Sequence, residues 1–153
     1  LFLFNIYTSL FIFINWLIFS SNDLENKIYL IFIISICIST DIGGYIFGKL
    51  FKGKKLTKIS PNKTFSGMYG SFIFSILITI LIFKDNLPIQ QIILVSFFIS
   101  LISQIGDIFI SFLKRKVKIK DPGRILPGHG GLLDRFDGII FAMPLGFLIL
   151  SNL

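Results

Sequence analysis

Residues 89–110 read IQQIILVSFFISLISQIGDIFI. About 20 mainly apolar residues, rising 1.5 Å each as a helix, cross the hydrocarbon core of a bilayer. The polar residues in this run are not scattered. Ser96, Ser100, Ser103 and Asp107, continued by Ser111 and Lys114, recur at steps of three or four. A helix gathers such positions into one stripe. Inside a membrane a polar stripe must lie against protein or line a wet cavity, because lipid offers its groups no partners. The segment therefore predicts a spanning helix packed among others. The fold class follows: all-α, a polytopic transmembrane helix bundle.

The flanking sequence repeats the apolar pattern. Further segments lie near 1–20, 28–47, 67–83 and 136–150, so about five spans are expected in a single membrane domain covering residues 1–153. Hydrophobic residues are 54% of the chain and charged residues 15%, against about 25% charged in soluble domains. That balance excludes a disordered chain, which needs low hydrophobicity and high net charge. The lone Cys37 sits in an apolar run and reads as a small buried hydrophobe. The chain opens on Leu1 without a signal-peptide pattern, and is expected to be the C-terminal part of a longer protein.

The net charge of +7 is unevenly placed. Of the 15 Lys and Arg residues, thirteen fall in the second and fourth connections, 48–66 and 111–135, leaving only Lys27 and Lys84 in the first and third. Alternate connections share a side if all five segments span. The positive-inside rule then makes the two basic connections cytoplasmic and the C-terminal residues 151–153 external. In a soluble protein this charge would suggest nucleic acid. Here facing anionic lipid explains most of it, and no nucleic-acid partner is expected.

Several charged residues sit where a membrane helix tolerates few. Asp107 falls near the cytoplasmic end of its span, and intramembrane carboxylates usually face a bundle interior or a functional cavity. Pairing with a loop lysine is the structural alternative. Asp41 is similarly placed, but Gly44 and Gly48 after it form a small-xxx-small pair that also explains the segment by close helix packing. Asp134 and Asp137 are three apart at the start of the last span and share a helix face. Dipole stabilisation explains one of them, while two together suit a hard cation such as Mg²⁺. Asp121 either joins them or starts a turn at Pro122. His129 lies between glycines, as a ligand-facing or an exposed loop imidazole. Lys63, Lys114 and Arg115 are the cations best placed to hold phosphates. No phosphate-binding P-loop pattern is present.

The stretch 111–137 reads SFLKRKVKIKDPGRILPGHGGLLDRFD. It resembles the signature of phosphatidate cytidylyltransferases, also called CDP-diglyceride synthetases. Ser111, Lys114, Arg115, Lys120, Asp121, Gly123, His129, Gly130, Gly131, Asp134, Arg135 and Asp137 stand in matching places. Upstream, Gly106-Asp107 resembles the family's Gly-Asp. Asp41, Gly44, Tyr45 and Gly48, then Ser60-Pro61 and Lys63-Thr64, resemble its earlier motif. Before Gly67 the family usually has Glu, and this chain has Ser66.

The resemblance implies transfer of a cytidylyl group from CTP to phosphatidate, giving CDP-diacylglycerol and pyrophosphate for phospholipid synthesis at the inner membrane. It implies Asp107, Lys114, Arg115, Asp121, His129, Asp134 and Asp137 as catalytic, with Asp107, Asp121, Asp134 and Asp137 holding Mg²⁺ and a second cation as an option. Asp41, Ser60, Lys63, Thr64, Ser111, Lys120, Gly130, Gly131 and Arg135 would bind substrate. The partners expected are CTP, phosphatidate and the lipid bilayer, with a homodimer as an option. Two other readings stay open: a transporter using Asp41 and Asp107 as ion or proton sites, and a CTP-dependent enzyme acting on another lipid phosphate.

Overall fold

The computed structural model describes residues Thr8, Phe11, Ile12, 24–57, 60, 63–116 and 133–152, with only the helical backbone described for 133–136. Four long helices carry the architecture: α1 (Leu24–Phe51), α2 (Phe65–Phe83), α3 (Ile89–Lys116) and α4 (Leu133–Leu150). Among the described residues the only strand-like feature is an isolated antiparallel bridge, Lys55 to Thr64. The helical bundle expected from the apolar runs is what forms. Three helices, α1 to α3, are long and apolar enough to cross a membrane, and α4 adds a shorter apolar stretch, Asp137–Leu150. The first apolar segment lies almost wholly outside the described residues.

The helices outrun the apolar segments that announce them. The second apolar segment covers 28–47, yet α1 runs from Leu24 to Phe51, and α3 continues past residue 110 to Lys116. At 28 residues each, these helices are about 42 Å long, against a hydrocarbon core of about 30 Å. Apolar composition stops at the membrane boundary, whereas backbone hydrogen bonding does not. Lys114, Arg115 and Lys116 in the last turn of α3 also sit well at the negative end of its dipole. What the sequence alone marked as connection is thus partly helix.

The starts of α2 and α3 have local causes. Thr64 caps α2, its hydroxyl accepting from the Gly67 amide at 3.1 Å. Pro88 precedes α3, and its carbonyl takes the Ile92 amide at 3.0 Å.

Unlike a soluble bundle, this one has an apolar outer surface as well as an apolar interior. Ile31, Ile38, Ile42 and Tyr45 on α1, Tyr69, Ile73, Leu77 and Leu81 on α2, and Leu94, Phe98, Ile105, Phe109 and Phe112 on α3 are exposed. They suit lipid contact. The interior combines an apolar cluster with a hydroxyl seam. Phe32, Ile33, Ile36, Cys37, Ile92, Val95, Ile99 and Met143 form the cluster, with Phe32 edge-on to Phe83 at 4.9 Å. In the seam Thr40 Oγ1 donates to Ser100 Oγ at 2.8 Å, and the Thr79 and Ser96 hydroxyls meet at 2.8 Å. The α3 stripe therefore faces inward, as its period requires, and each hydroxyl that crosses a helix boundary ties two spans together.

Glycines set the closest approach, between α1 and α2. An added Cβ at Gly67 would lie 2.7 Å from the Gly44 carbonyl oxygen, and one at Gly43 3.1 Å from the Gly70 oxygen. The Gly44–Gly48 pair acts here as expected, with Gly43, Gly67 and Gly70 joining it. On the other side α3 and α4 run antiparallel: Gly138 abuts Ser103, Gly106 abuts Phe141, and Gly146 abuts Ile99. That register places Asp107 and Asp137 at the same end of the pair.

Candidate active site

A cavity of about 240 Å³ opens at that end of the bundle, lined by α1, the start of α2, α3 and the connection between α1 and α2. Its charged lining is Asp41, Lys63 and Asp107, and its neutral polar lining includes Thr40, Ser60, Thr64, Ser71 and Gln104. Tyr45, Leu56 and Met68 supply less polar surface. Thr40 and Ser71 are buried, and Tyr45 is 68% exposed. The cavity thus extends from the interior seam to the lipid-facing stripe of α1.

Lys63 is delivered by a braced connection. The Leu56 amide donates to the Lys63 carbonyl at 2.8 Å and the Phe65 amide to the Lys54 carbonyl at 3.0 Å. The Lys63 amide donates to the Ser60 carbonyl at 3.1 Å, and the Gly53 amide to Ser66 Oγ at 3.2 Å. Lys63 Nζ then reaches Asp107 Oδ2 at 2.5 Å, both side chains about 30% exposed or a little less. Of the two meanings Asp107 had in the sequence, the described geometry displays the loop-lysine pairing, and does so inside a cavity.

A second ion pair lies beyond the first. Lys114 Nζ reaches Asp137 Oδ2 at 2.8 Å, with side-chain exposures of 13% and 3%. Burying two charges this far is costly unless they are matched, and the match holds α3 against α4 at the cavity end. Both pairs draw their carboxylate or their ammonium from the α3 stripe.

The structure brings together Asp41, Ser60, Lys63, Thr64 and Asp107 around one cavity, with Lys114 and Asp137 paired nearby. Ser111 is half-buried on the stripe, and Arg115 is exposed on the last turn of α3. Neither lines the cavity. Asp121, His129, Lys120, Gly130 and Gly131 lie outside the described residues. Asp134 and Arg135 are helical in backbone, so Asp134 and Asp137 do share a face, while their side-chain positions are not described for 134 and 135.

Among the described residues no three His, Cys, Asp or Glu side chains cluster as a metal site. The expected set Asp107, Asp121, Asp134 and Asp137 has only two members with described side chains. Their oxygen donors, at one end of the α3–α4 pair, fit a hard cation in chemical type.

Two roles were not visible in the sequence. Gln104, one turn inside Asp107, lines the cavity. Its signal was an amide within an apolar run, three residues before an acid. Ser66, at the place where the resembled pattern has Glu, braces the connection: its Oγ accepts from Gly53 and sits 3.0 Å from Thr64 Oγ1.

The chain belongs to the cytidylyltransferase family, whose model matches residues 1–153. Among curated relatives, it is similar to a protein named phosphatidate cytidylyltransferase from Staphylococcus haemolyticus, at 41% identity over 92% of this chain and 55% of the relative. Proteins of the same name from Bacillus subtilis and Rickettsia prowazekii are 42% and 40% identical, over 80% and 89% of this chain and 47% and 64% of theirs. The chain spans about half the length of the first of these relatives.

Proposed function

We propose that the protein carrying this chain transfers a cytidylyl group from CTP to phosphatidate, giving CDP-diacylglycerol and pyrophosphate. The observation that carries the reading is the cavity. It holds an ammonium, two carboxylates and neutral donors at one end of an apolar-surfaced bundle, and it reaches the lipid-facing side through Tyr45. Such a site serves one reactant from water and one from the leaflet.

The chemistry asks for little general base. A phosphate oxygen of the lipid, already ionised at neutral pH, attacks the α-phosphorus of CTP. The new P–O bond forms as the bond to the β-phosphate oxygen breaks, and pyrophosphate leaves. The barrier lies in bringing two polyanions together and stabilising charge in the transition state, which positioned cations do. Lys63 is suited to this because its connection is braced on both sides. Lys114 holds Asp137 in place at the same end. Asp107 orients Lys63 through their ion pair.

Asp107, Asp121, Asp134 and Asp137 would hold Mg²⁺, which when bound supplies a hard positive charge to phosphate oxygens. The basic connections facing the cytoplasm of a bacterial inner membrane complete the reading, supported by the thirteen-to-two division of Lys and Arg.

The test is CTP-dependent formation of CDP-lipid from phosphatidate by the full-length protein in detergent or vesicles, with and without Mg²⁺. Product that requires CTP, phosphatidate and Mg²⁺ together is expected. Turnover with another lipid phosphate but not phosphatidate, or none with CTP, would refute it.

A further inference from the structure

Gln104 is not used by the chemistry above, yet it lines the cavity one helical turn membrane-ward of Asp107. It is the one side-chain amide among the described lining residues. Its support comes from behind. Thr40 Oγ1 donates to Ser100 Oγ at 2.8 Å, with both residues buried, and Gln104 Nε2 donates to the same oxygen at 3.4 Å. That bond uses one of the two Nε2 N–H groups and orients the amide, leaving for a ligand the second N–H and Oε1, which can only accept.

We propose that Gln104 presents Oε1 to a hydrogen-bond donor of the nucleoside, making it a specificity-determining residue for the nucleotide. The proposal rests on the CTP reading above. The two substrates differ in what they offer. The ester and ionised phosphate groups of the lipid are acceptors, which an accepting oxygen does not favour. The nucleoside carries donors: the exocyclic amino group of cytosine and the ribose hydroxyls. The charge pattern agrees. Lys63 suits phosphates near the charged end, and a neutral amide one turn deeper suits the uncharged part of the same molecule. Tyr45 and Met68 line the same cavity and offer faces on which a flat ring can lie.

Hydrogen-bonded recognition discriminates strongly because an analogue lacking the donor leaves a desolvated acceptor unpaired. Uridine nucleotides replace the amino donor with a carbonyl acceptor. Deoxycytidine nucleotides keep the amino group and lose one hydroxyl. The two sources of the donor can therefore be separated.

The experiment measures kcat/KM for CTP, with UTP and dCTP as competitors, in the full-length protein and its Gln104→Met and Ser100→Ala variants. Met keeps the length of Gln and removes the accepting oxygen. Gln104→Met should lower the preference for CTP about tenfold or more over one competitor. That competitor is UTP if the amino group is read, and dCTP if the hydroxyl is. Ser100→Ala should relax the same preference by a smaller factor, since the amide stays but loses its anchor. It also carries the test if Gln104→Met fails to fold. A purely structural role would lower CTP turnover and leave both preferences unchanged, and that result in either folded variant overturns the inference. A full-length protein with no CTP-dependent turnover would instead overturn the proposed function, and this inference with it.

Discussion

Gly67→Ala tests whether the α1–α2 contact positions the site. Alanine normally favours a helix over glycine by up to about 1 kcal/mol, so the substitution should be mildly stabilising on propensity alone. The structure opposes this. The new Cβ would stand 2.7 Å from the Gly44 carbonyl oxygen and 3.2 Å from Thr64 Oγ1. Ordinary contact begins near 3.4 Å, so the deficit against Gly44 is about 0.7 Å. That neighbour is backbone, and no rotamer change relieves it. The two helices must part, loosening the Thr64 cap at the same time. Overpacking of this kind costs about 1–3 kcal/mol, which exceeds the propensity gain. The variant should therefore be less stable by about 1–2 kcal/mol. Its kcat/KM should fall as well, because Asp41 and Lys63 sit on the two sides of that contact. Gly48→Ala is the internal control. Its Cβ would meet Thr64 Oγ1 at 3.1 Å and the Gly67 Cα at 3.7 Å, so only a side chain must give, by a few tenths of an ångström, and no backbone has to part. Unfolding of the full-length proteins in mixed micelles, with CDP-lipid formation in the same preparations, gives both readouts. A Gly67→Ala protein as stable and active as wild type, or one no worse than Gly48→Ala, would refute the reasoning.

Three other outcomes are expected. For the pair of Lys114 and Asp137, Lys114→Met and Asp137→Leu should each destabilise by about 3 kcal/mol or more, with the double variant recovering much of the loss in unfolding assays but no activity; additive losses would show that the pair is not coupled. Lys63→Ala should lower kcat/KM steeply, whereas Lys54→Ala, whose exposed side chain lies outside the cavity, should change it by less than about fivefold, most of it through membrane attraction; equal damage would mean that the cations act as a diffuse field. A cysteine at Lys54 in the full-length protein should resist a membrane-impermeant thiol reagent in intact cells and react after permeabilisation; labelling from outside would reverse the orientation.

Much of this protein is legible in one dimension. Long apolar runs have few options in a bilayer, since every backbone group must be satisfied within its own segment, so residues 28–47, 67–83 and 89–110 announce helices. The step of three and four through Ser96, Ser100, Ser103 and Asp107 announces an inward face. The motif stretch 111–137 marks a family, and the family model confirms it. Tertiary structure decided what period and composition leave open. That Lys63 meets Asp107, and Lys114 meets Asp137, depends on where a braced connection and a neighbouring helix come to rest, at separations of 44 and 23 residues. That Thr64 caps α2 while Lys63 beside it reaches the cavity goes with the bond from the Lys63 amide to the Ser60 carbonyl and that from the Gly67 amide to the Thr64 hydroxyl. Gln104 lines the cavity where Thr40 and Ser100 join α1 to α3 behind it. Local sequence specifies helices, because their hydrogen bonds are local. Partners across the bundle are chosen by packing, and contacts too close for a Cβ, such as Gly67 against the Gly44 carbonyl, set how near the helices lie.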